Sequence, residues 1–147
     1  MKNIKYFILL IIFIGLVIYL NSVGQKRNTE QNSNLKNGIF IEGVITKIKR
    51  SNNHSFGILS IDITHSNVNY FCSRLKEGSY PYKIIGKKGE IYLPIYIERK
   101  IGDKIKLISN EETIYYYGKL SNDEGDIYII TNPIDINFIK DNSELKK

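Results

Sequence analysis

The sequence GIFIEGVITKIK, residues 38–49, is the first clear strand-forming stretch, and the predicted fold is built outward from it. Successive side chains of a strand point to opposite faces. One face is predicted to carry Ile39, Ile41 and Ile45. The other is predicted to carry Phe40, Val44 and Ile48. Gly43 predicts a bulge or a sharp coil in mid-strand, because glycine inside a strand often marks such a site.

Further β-forming stretches follow, which favours a mainly β domain. Phe56–Thr64 alternates apolar and polar residues, and Val68–Cys72 is predicted to complete an antiparallel meander. Glu90–Glu98 contains Pro94, which predicts either an edge strand or two short strands that meet at a bend. Thr113–Leu120 and Asp126–Thr131 are predicted to form a hairpin around a polar loop. Between Cys72 and Glu90, a short helix around Leu75–Gly78 or a strand at Tyr82–Ile85 is possible.

The stretch Tyr6–Val23, YFILLIIFIGLVIYLNSV, is uncharged and almost wholly apolar, and it follows a short basic tip. A helix of about 20 residues spans the hydrocarbon core of a bilayer. We therefore expect a single-pass signal-anchor that contacts the lipid bilayer, with the N-terminus cytoplasmic and the β domain extracytoplasmic. The alternative is a signal peptide that is cleaved near Gly24, which would release a secreted domain.

These patterns predict four segments. Residues 1–23 form the transmembrane signal-anchor helix, and the Asn-, Ser- and Gln-rich residues 24–37 form a flexible polar linker. Residues 38–139 form the β domain, and residues 140–147 form a disordered polar tail. The middle of the chain is basic and residues 107–147 are acidic, within a net charge of +6.

The turn into a strand at Ile101–Leu107, with the long glycine-broken first strand and the meander, resembles small β-barrels of the OB or SH3-like kind. The whole plan also resembles small uncharacterised proteins that carry such a domain behind an N-terminal membrane anchor. The resemblance implies an antiparallel β-barrel, OB-like, with a β-sandwich as the other architecture.

The sequence offers little to catalysis or metal binding. His54 and His65 are predicted at opposite ends of the second strand, too far apart to share a metal. Cys72 stands without a recognisable nucleophile motif, and a small buried thiol is the simpler interpretation. We therefore predict no catalytic residue, no metal site and no cofactor.

Tyrosines and basic residues alternate in one region, a combination that stacks on and neutralises extended polymers. The candidate ligand-binding residues are Tyr80, Tyr82, Lys83, Lys87, Lys88, Tyr92, Tyr96, Arg99 and Lys100. They suggest a binding domain for an anionic or carbohydrate polymer, with nucleic acid disfavoured by the extracytoplasmic address. The leading hypothesis is a membrane-anchored, non-enzymatic interaction or structural module with an unidentified protein partner.

Overall fold

The computed structural model describes residues 4–73, 75–96, 98–118 and 122–145. The chain divides into two compact units, one up to Asn34 and one from Leu35 onward. The first unit is helix α1, Ile4–Ser33. Its segment Ile8–Gln25 has a mean hydropathy of 2.2 and no buried residue, and at 1.5 Å per residue it is about 27 Å long. This apolar helix is long enough to cross a bilayer, and a signal sequence has the same length and composition.

The second unit begins almost directly after α1. The helix continues to Ser33, whereas the sequence predicted a flexible linker over residues 24–37. The physical reason is that residues 25–33 contain neither glycine nor proline, so nothing ends the helix after Gly24. Leu35 is then fully buried in the core of the β unit. The structure therefore has helix over residues 24–33, where the sequence predicted a linker without secondary structure.

Within the described residues, eight strands form one open antiparallel sheet. The strands are β1 Phe40–Arg50, β2 Phe56–Ser66, β3 Tyr70–Phe71, β4 Tyr82–Ile85, β5 Lys88–Pro94, β6 Lys104–Ile108, β7 Thr113–Tyr117 and β8 Asn122–Asp126. Their order across the sheet is β3-β4-β5-β2-β1-β6-β7-β8. A 3₁₀ turn, Ser109–Glu111, separates β6 from β7, and helix α2, Pro133–Asn142, follows the last strand.

Strand β1 pairs with β2 and, through Phe40–Val44, with β6, so it joins the two halves of the sheet. The register against β2 shifts between Glu42 and Gly43, but the extra residue is Thr64 of β2, so the irregularity beside Gly43 lies in the partner strand and not in β1 as predicted. A second shift lies between Ile45 and Lys47. One extra residue reverses the alternation, so Ile48 packs against the same core as the buried Ile45, and not on the opposite face as predicted.

The sheet curves around one main core. Buried side chains of β4 and β7 belong to the same cluster, although five strand spacings would separate them by about 24 Å in a flat sheet. Among the described residues, one isolated bridge joins the segment before β4 to the segment after β8: Ser79 and Ile130 exchange two backbone hydrogen bonds of 2.8 and 2.9 Å. The sheet itself is not closed, so the predicted barrel is not confirmed.

Three predictions about the arrangement of the strands are wrong. Strand β3 pairs with β4, and β5 lies beside β2, so the first three strands are not a meander. Strand β5 is an inner strand and not the predicted edge strand. It ends at Pro94, and its pairing with β4 stops at Ile91, so the missing amide of Pro94 removes no hydrogen bond to β4. The predicted hairpin loop contains strand β8, because Tyr117 pairs with Asn122. Residues 119–121 of that hairpin and Ile97 lie outside the described residues.

Helix α2 packs on the face of the sheet opposite the main core. Asn132 caps it by accepting a hydrogen bond from the Ile134 amide at 2.9 Å, and Pro133 occupies its first turn. A second apolar cluster lies between this helix and the sheet: Phe56, Ile58, Tyr92, Ile130, Ile136, Phe138 and Ile139. Residues 140–145, predicted as part of a disordered tail, complete this helix and bind to the sheet, whereas residues 146–147 lie outside the described part.

Candidate interaction site beneath the C-terminal helix

The predicted Tyr/Lys surface is not one exposed face. The rings of Tyr82 and Tyr92 are 2 % and 3 % exposed and pack in different clusters on opposite sides of the sheet. Burial, the largest cause in each case, raises the pKa of Tyr82 to about 12 and also raises that of Tyr92. The exposed candidates are Tyr96, Lys87, Lys88 and Lys100. The two buried rings are unavailable for stacking on a polymer.

Arg99 has a structural environment of its own. It is 7 % exposed, and its Nη2 atom donates to Asp123 Oδ2 at 2.5 Å. Its guanidinium lies 3.8 Å above the centre of the Tyr116 ring, a cation–π contact. The hydrogen bond from Arg99 lowers the pKa of the Asp123 carboxyl. Arg99 Nε has no hydrogen-bond partner among the described residues. These contacts tie the segment after β5 to β7 and β8.

Four of the nine candidates do meet, around a cavity of about 700 Å³. It opens between α2 and the segment that leads from β3 into β4. The four candidates in its wall are Tyr80, Tyr82, Lys83 and Tyr92. Cys72, which is half-buried, also lines this cavity, together with Ile139 and Lys140 of α2. The volume falls within the usual range of small-molecule sites.

Next to this cavity lies a buried carboxylate, Glu90, which is 1 % exposed. Its Oε2 accepts hydrogen bonds from Tyr92 Oη at 2.8 Å and from Ser143 Oγ at 2.5 Å. Its Oε1 accepts from the backbone amides of Glu144 at 2.7 Å and Leu145 at 3.4 Å. A buried carboxylate is tolerated when such donors replace its hydration. Three of these four donors belong to the residues that follow α2.

Three lysines of the same face hold the other groups of this C-terminal segment. Lys47 and Lys49 of β1 lie 2.5 and 3.0 Å from Glu144 Oε1. Lys49 also donates to the carbonyl of Asn142 at 2.7 Å, and Lys83 donates to the carbonyl of Leu145. The hydrogen bonds from Lys47 and Lys49 lower the pKa of Glu144 to about 2. We call Glu90, Lys47, Lys49 and Lys83 the socket, and residues 142–145 the latch.

Of the socket residues only Lys83 was among the predicted candidates, although the sequence contains signals for Glu90 as well. Glu90 alternates with Gly89 and Ile91 in an inner strand, so its side chain shares the face of Tyr92. A carboxylate at such a position needs donors, which predicts a covering segment. Asn132-Pro133 is an N-cap and first-turn signature that predicts the helix supplying this segment.

The two histidines weighed for metal binding lie in or beside the turns that flank β2, and neither belongs to the socket. His65 Nδ1 is 3.5 Å from Glu42 Oε2 at an exposed position. His54 adopts a positive φ of 45° in the turn between β1 and β2. Among the described residues, no group of three or more His, Cys, Asp or Glu side chains is placed to hold a metal ion. The site is therefore best described as a helix docked on a face with matched charges.

Comparison with known proteins adds no assignment to this geometry. A scan against protein-family models and searches of curated proteins and solved structures found no match to this chain.

Proposed function

We propose that the chain is a membrane-anchored, non-enzymatic module that holds a β domain close to a bilayer surface for interaction with other proteins. The observation that carries this proposal is the junction of the two units. A 30-residue helix contains the apolar segment Ile8–Gln25, and only Asn34 separates the end of this helix from the buried Leu35.

The length of the connection supports a short stalk. Residues 26–33 continue the helix past the apolar segment, and eight residues of helix add about 12 Å. A flexible linker of 14 residues would let the domain explore a distance of about 20 Å from its tether. Only residues 26–34 lie between the apolar segment and the buried Leu35, so the length of the chain itself would keep the β domain near the surface of its own membrane. Such restriction favours a structural or docking role.

The proposed topology has the N-terminus in the cytoplasm and the β domain outside it, and cleavage near Gly24 is the alternative. Cys72 is the only cysteine of the chain and is half-buried, which makes it a specific reporter. In cells that express the full chain, a membrane-impermeant maleimide should label Cys72 without permeabilisation. The variant Cys72→Ser provides the background. Labelling that requires permeabilisation would place the domain in the cytoplasm.

Fractionation of the same cells tests the anchor. The full-length chain should remain in the membrane pellet after alkaline carbonate extraction. A mature chain that begins at Gln25 and appears in the medium would replace the anchor with a cleaved signal peptide. For the interaction role, chemical cross-linking before solubilisation should give a discrete complex larger than the monomer. A chain that stays monomeric under these conditions would contradict the proposal.

The burial of the two tyrosine rings gives no support to the polymer-binding alternative. It requires the tyrosines and basic residues to share one exposed face, and Tyr82 and Tyr92 lie in two separate apolar clusters. Arg99 is paired with Asp123.

A further inference from the structure

Three residues of helix α2, Ile136, Phe138 and Ile139, reach the apolar cluster on the sheet. Of its ten residues only Ile139 is buried, and Ile134 is 62 % exposed. Phe138 adds an edge-to-face contact with Phe56 at a ring distance of 6.4 Å. A helix of this length gains most of its stability from tertiary contacts, and the latch adds hydrogen bonds and ion pairs to the packing of the apolar cluster. Local opening of a terminal segment costs less free energy than global unfolding, and the Lys47–Glu144 contact of the latch is half exposed.

The face beneath α2 has the composition of a binding surface. Its apolar centre consists of Phe56, Ile58, Tyr92 and Ile130. Around this centre stand Lys47, Lys49 and Lys83, each bound to the latch. An aromatic and aliphatic centre with a charged rim is the usual organisation of a protein interface. The structure contains this organisation already occupied, by a segment of the same chain.

We propose that α2 and its latch are a strap over the binding surface of this module, and that an acidic amphipathic helix of a partner protein takes the place of the strap. This inference rests on the proposed interaction function and names the surface and the class of partner. The strap remains tethered through Ile130, which is buried and bridged to Ser79. Release therefore pivots at Asn132, after the last residue that is fixed in the sheet.

The socket itself indicates the chemistry of the partner. Lys47 and Lys49 both bind the carboxylate of Glu144. The strap carries three acidic residues, Asp135, Asp141 and Glu144, and one basic residue, Lys140. Glu90 accepts hydrogen bonds from the backbone amides of Glu144 and Leu145, which lie beyond the end of α2, and a partner peptide that continues in the same way past its helix can supply such amides. A lipid phosphate supplies no such donors and would be repelled by Glu90. The surface therefore favours an acidic helix over an anionic bilayer.

The tether explains why the closed state dominates in the absence of a partner. A strap in the same chain acts at an effective concentration of the order of millimolar. A free peptide must compete with it, so weakening the latch should strengthen binding of the free peptide. Glu144→Lys reverses the charge that Lys47 and Lys49 bind and leaves the apolar face intact. Asp141→Lys makes the same charge change at an exposed position of α2 and is the matched control.

The test uses the full chain in detergent micelles and a fluorescein-labelled, C-terminally amidated peptide with the sequence of residues 132–145. Fluorescence anisotropy should show that Glu144→Lys binds this peptide at least ten-fold more tightly than the wild type does. Asp141→Lys should bind it like the wild type. The same peptide with Glu144→Lys should lose most of its affinity for the opened variant. Hydrogen exchange should accelerate in α2 of Glu144→Lys and stay unchanged in β2 and β5, which also reports that the sheet is folded.

Three outcomes would overturn the strap. The first is unchanged exchange in α2 of Glu144→Lys. The second is accelerated exchange without tighter binding of the peptide. The third is equal binding by Glu144→Lys and Asp141→Lys, since this would mean non-specific charge attraction. None of these outcomes bears on membrane attachment or on cross-linked complexes, so failure of the strap and failure of the proposed function are distinguished.

Discussion

Replacing Glu90 with alanine is the sharpest perturbation of the latch. The carboxylate accepts four hydrogen bonds, and Glu90→Ala leaves their donors without an acceptor. The donors after α2 can reach water if the latch lifts, but the Tyr92 hydroxyl remains in a buried cluster. A buried unsatisfied donor costs about 1–3 kcal/mol, and a hydrogen bond to a charged group contributes about 1.5–3 kcal/mol. The relief of carboxylate burial offsets part of this loss.

The net expectation is that Glu90→Ala weakens latch attachment by about 3 kcal/mol, which corresponds to an increase of about 100-fold in the open population. Hydrogen exchange with mass spectrometry on the full chain measures this directly, in a peptide that covers α2 and the latch. Exchange there should accelerate by about that factor, while β1 and β6 remain protected. Thermal unfolding followed by circular dichroism should show a lower melting temperature.

Two controls separate this mechanism from a general effect of mutation. Glu90→Gln keeps the shape and one acceptor oxygen, and its amide group can donate to the Tyr92 and Ser143 hydroxyls, so we expect a loss of only about 1 kcal/mol. Glu98→Ala removes an exposed carboxylate elsewhere and should change neither measurement. If Glu90→Ala and Glu98→Ala show the same exchange in α2 and the same melting temperature, the latch does not depend on the buried carboxylate.

Three further predictions test the packing and the titration behaviour. In Gly57→Ala the new Cβ would lie 2.2 Å from a backbone carbonyl oxygen of β1. We therefore expect urea unfolding to show a free energy of unfolding lower by at least about 2 kcal/mol. In the control Gly125→Ala the new Cβ meets only ordinary contacts, the shortest 3.7 Å, and stability should be nearly unchanged. The hydrogen bonds from Lys47 and Lys49 lower the pKa of Glu144 to about 2. The contribution of Glu144 to latch stability is therefore present above its ordinary pKa of 4.5 and is lost as the pH falls toward 2. Exchange in α2, corrected for intrinsic rates, should accelerate over this window, and Glu144→Gln should reduce the dependence. Burial raises the pKa of Tyr82 and Tyr116 to about 12. The stability that these neutral rings contribute is therefore complete below pH 10 and declines as the pH rises toward 12. An ultraviolet titration should show tyrosines that ionise above pH 10, and a single transition near pH 10 would contradict the burial of both rings.

The sequence predicts the position of individual strands better than it predicts which strands pair with each other. Alternation identified β1 and β2, and the possible strand at Tyr82–Ile85 is confirmed as β4. Period-two patterns state which residues share a face, but they do not state which strand lies alongside. For this reason the pairing of β3 with β4, and the place of β5 beside β2, were not predictable from local patterns. The open sheet, in place of a barrel, follows from the same long-range pairing.

Two elements run against their local signals. Strand β8 has the sequence NDEGD, which is typical of a loop, and it forms a strand because β7 offers a paired edge. Helix α2 has a weak apolar pattern, and its C-terminal end is fixed by Glu90, a residue far away in the chain. The candidate site depends on both the helix and this distant carboxylate. Hydrophobic periodicity alone therefore could not predict the candidate site. The helix cap at Asn132 and the inward-facing Glu90 could each be predicted from the sequence, but their contact could not.

The charge pattern at the edge of the sheet bears on where a partner can bind. Strand β8 lies at one edge and exposes Asp123, Glu124 and Asp126, and charged edge strands resist pairing with another strand. At the other edge β3 has only two residues, Tyr70–Phe71, which offer a short template. Strand addition is therefore disfavoured at both edges. The face beneath α2 differs, because its contacts are polar at the latch, apolar at the centre and matched in charge, so a competing helix can reproduce each of them. An edge-on partner would have to desolvate three carboxylates, whereas a helix on this face would replace the contacts that the strap gives up.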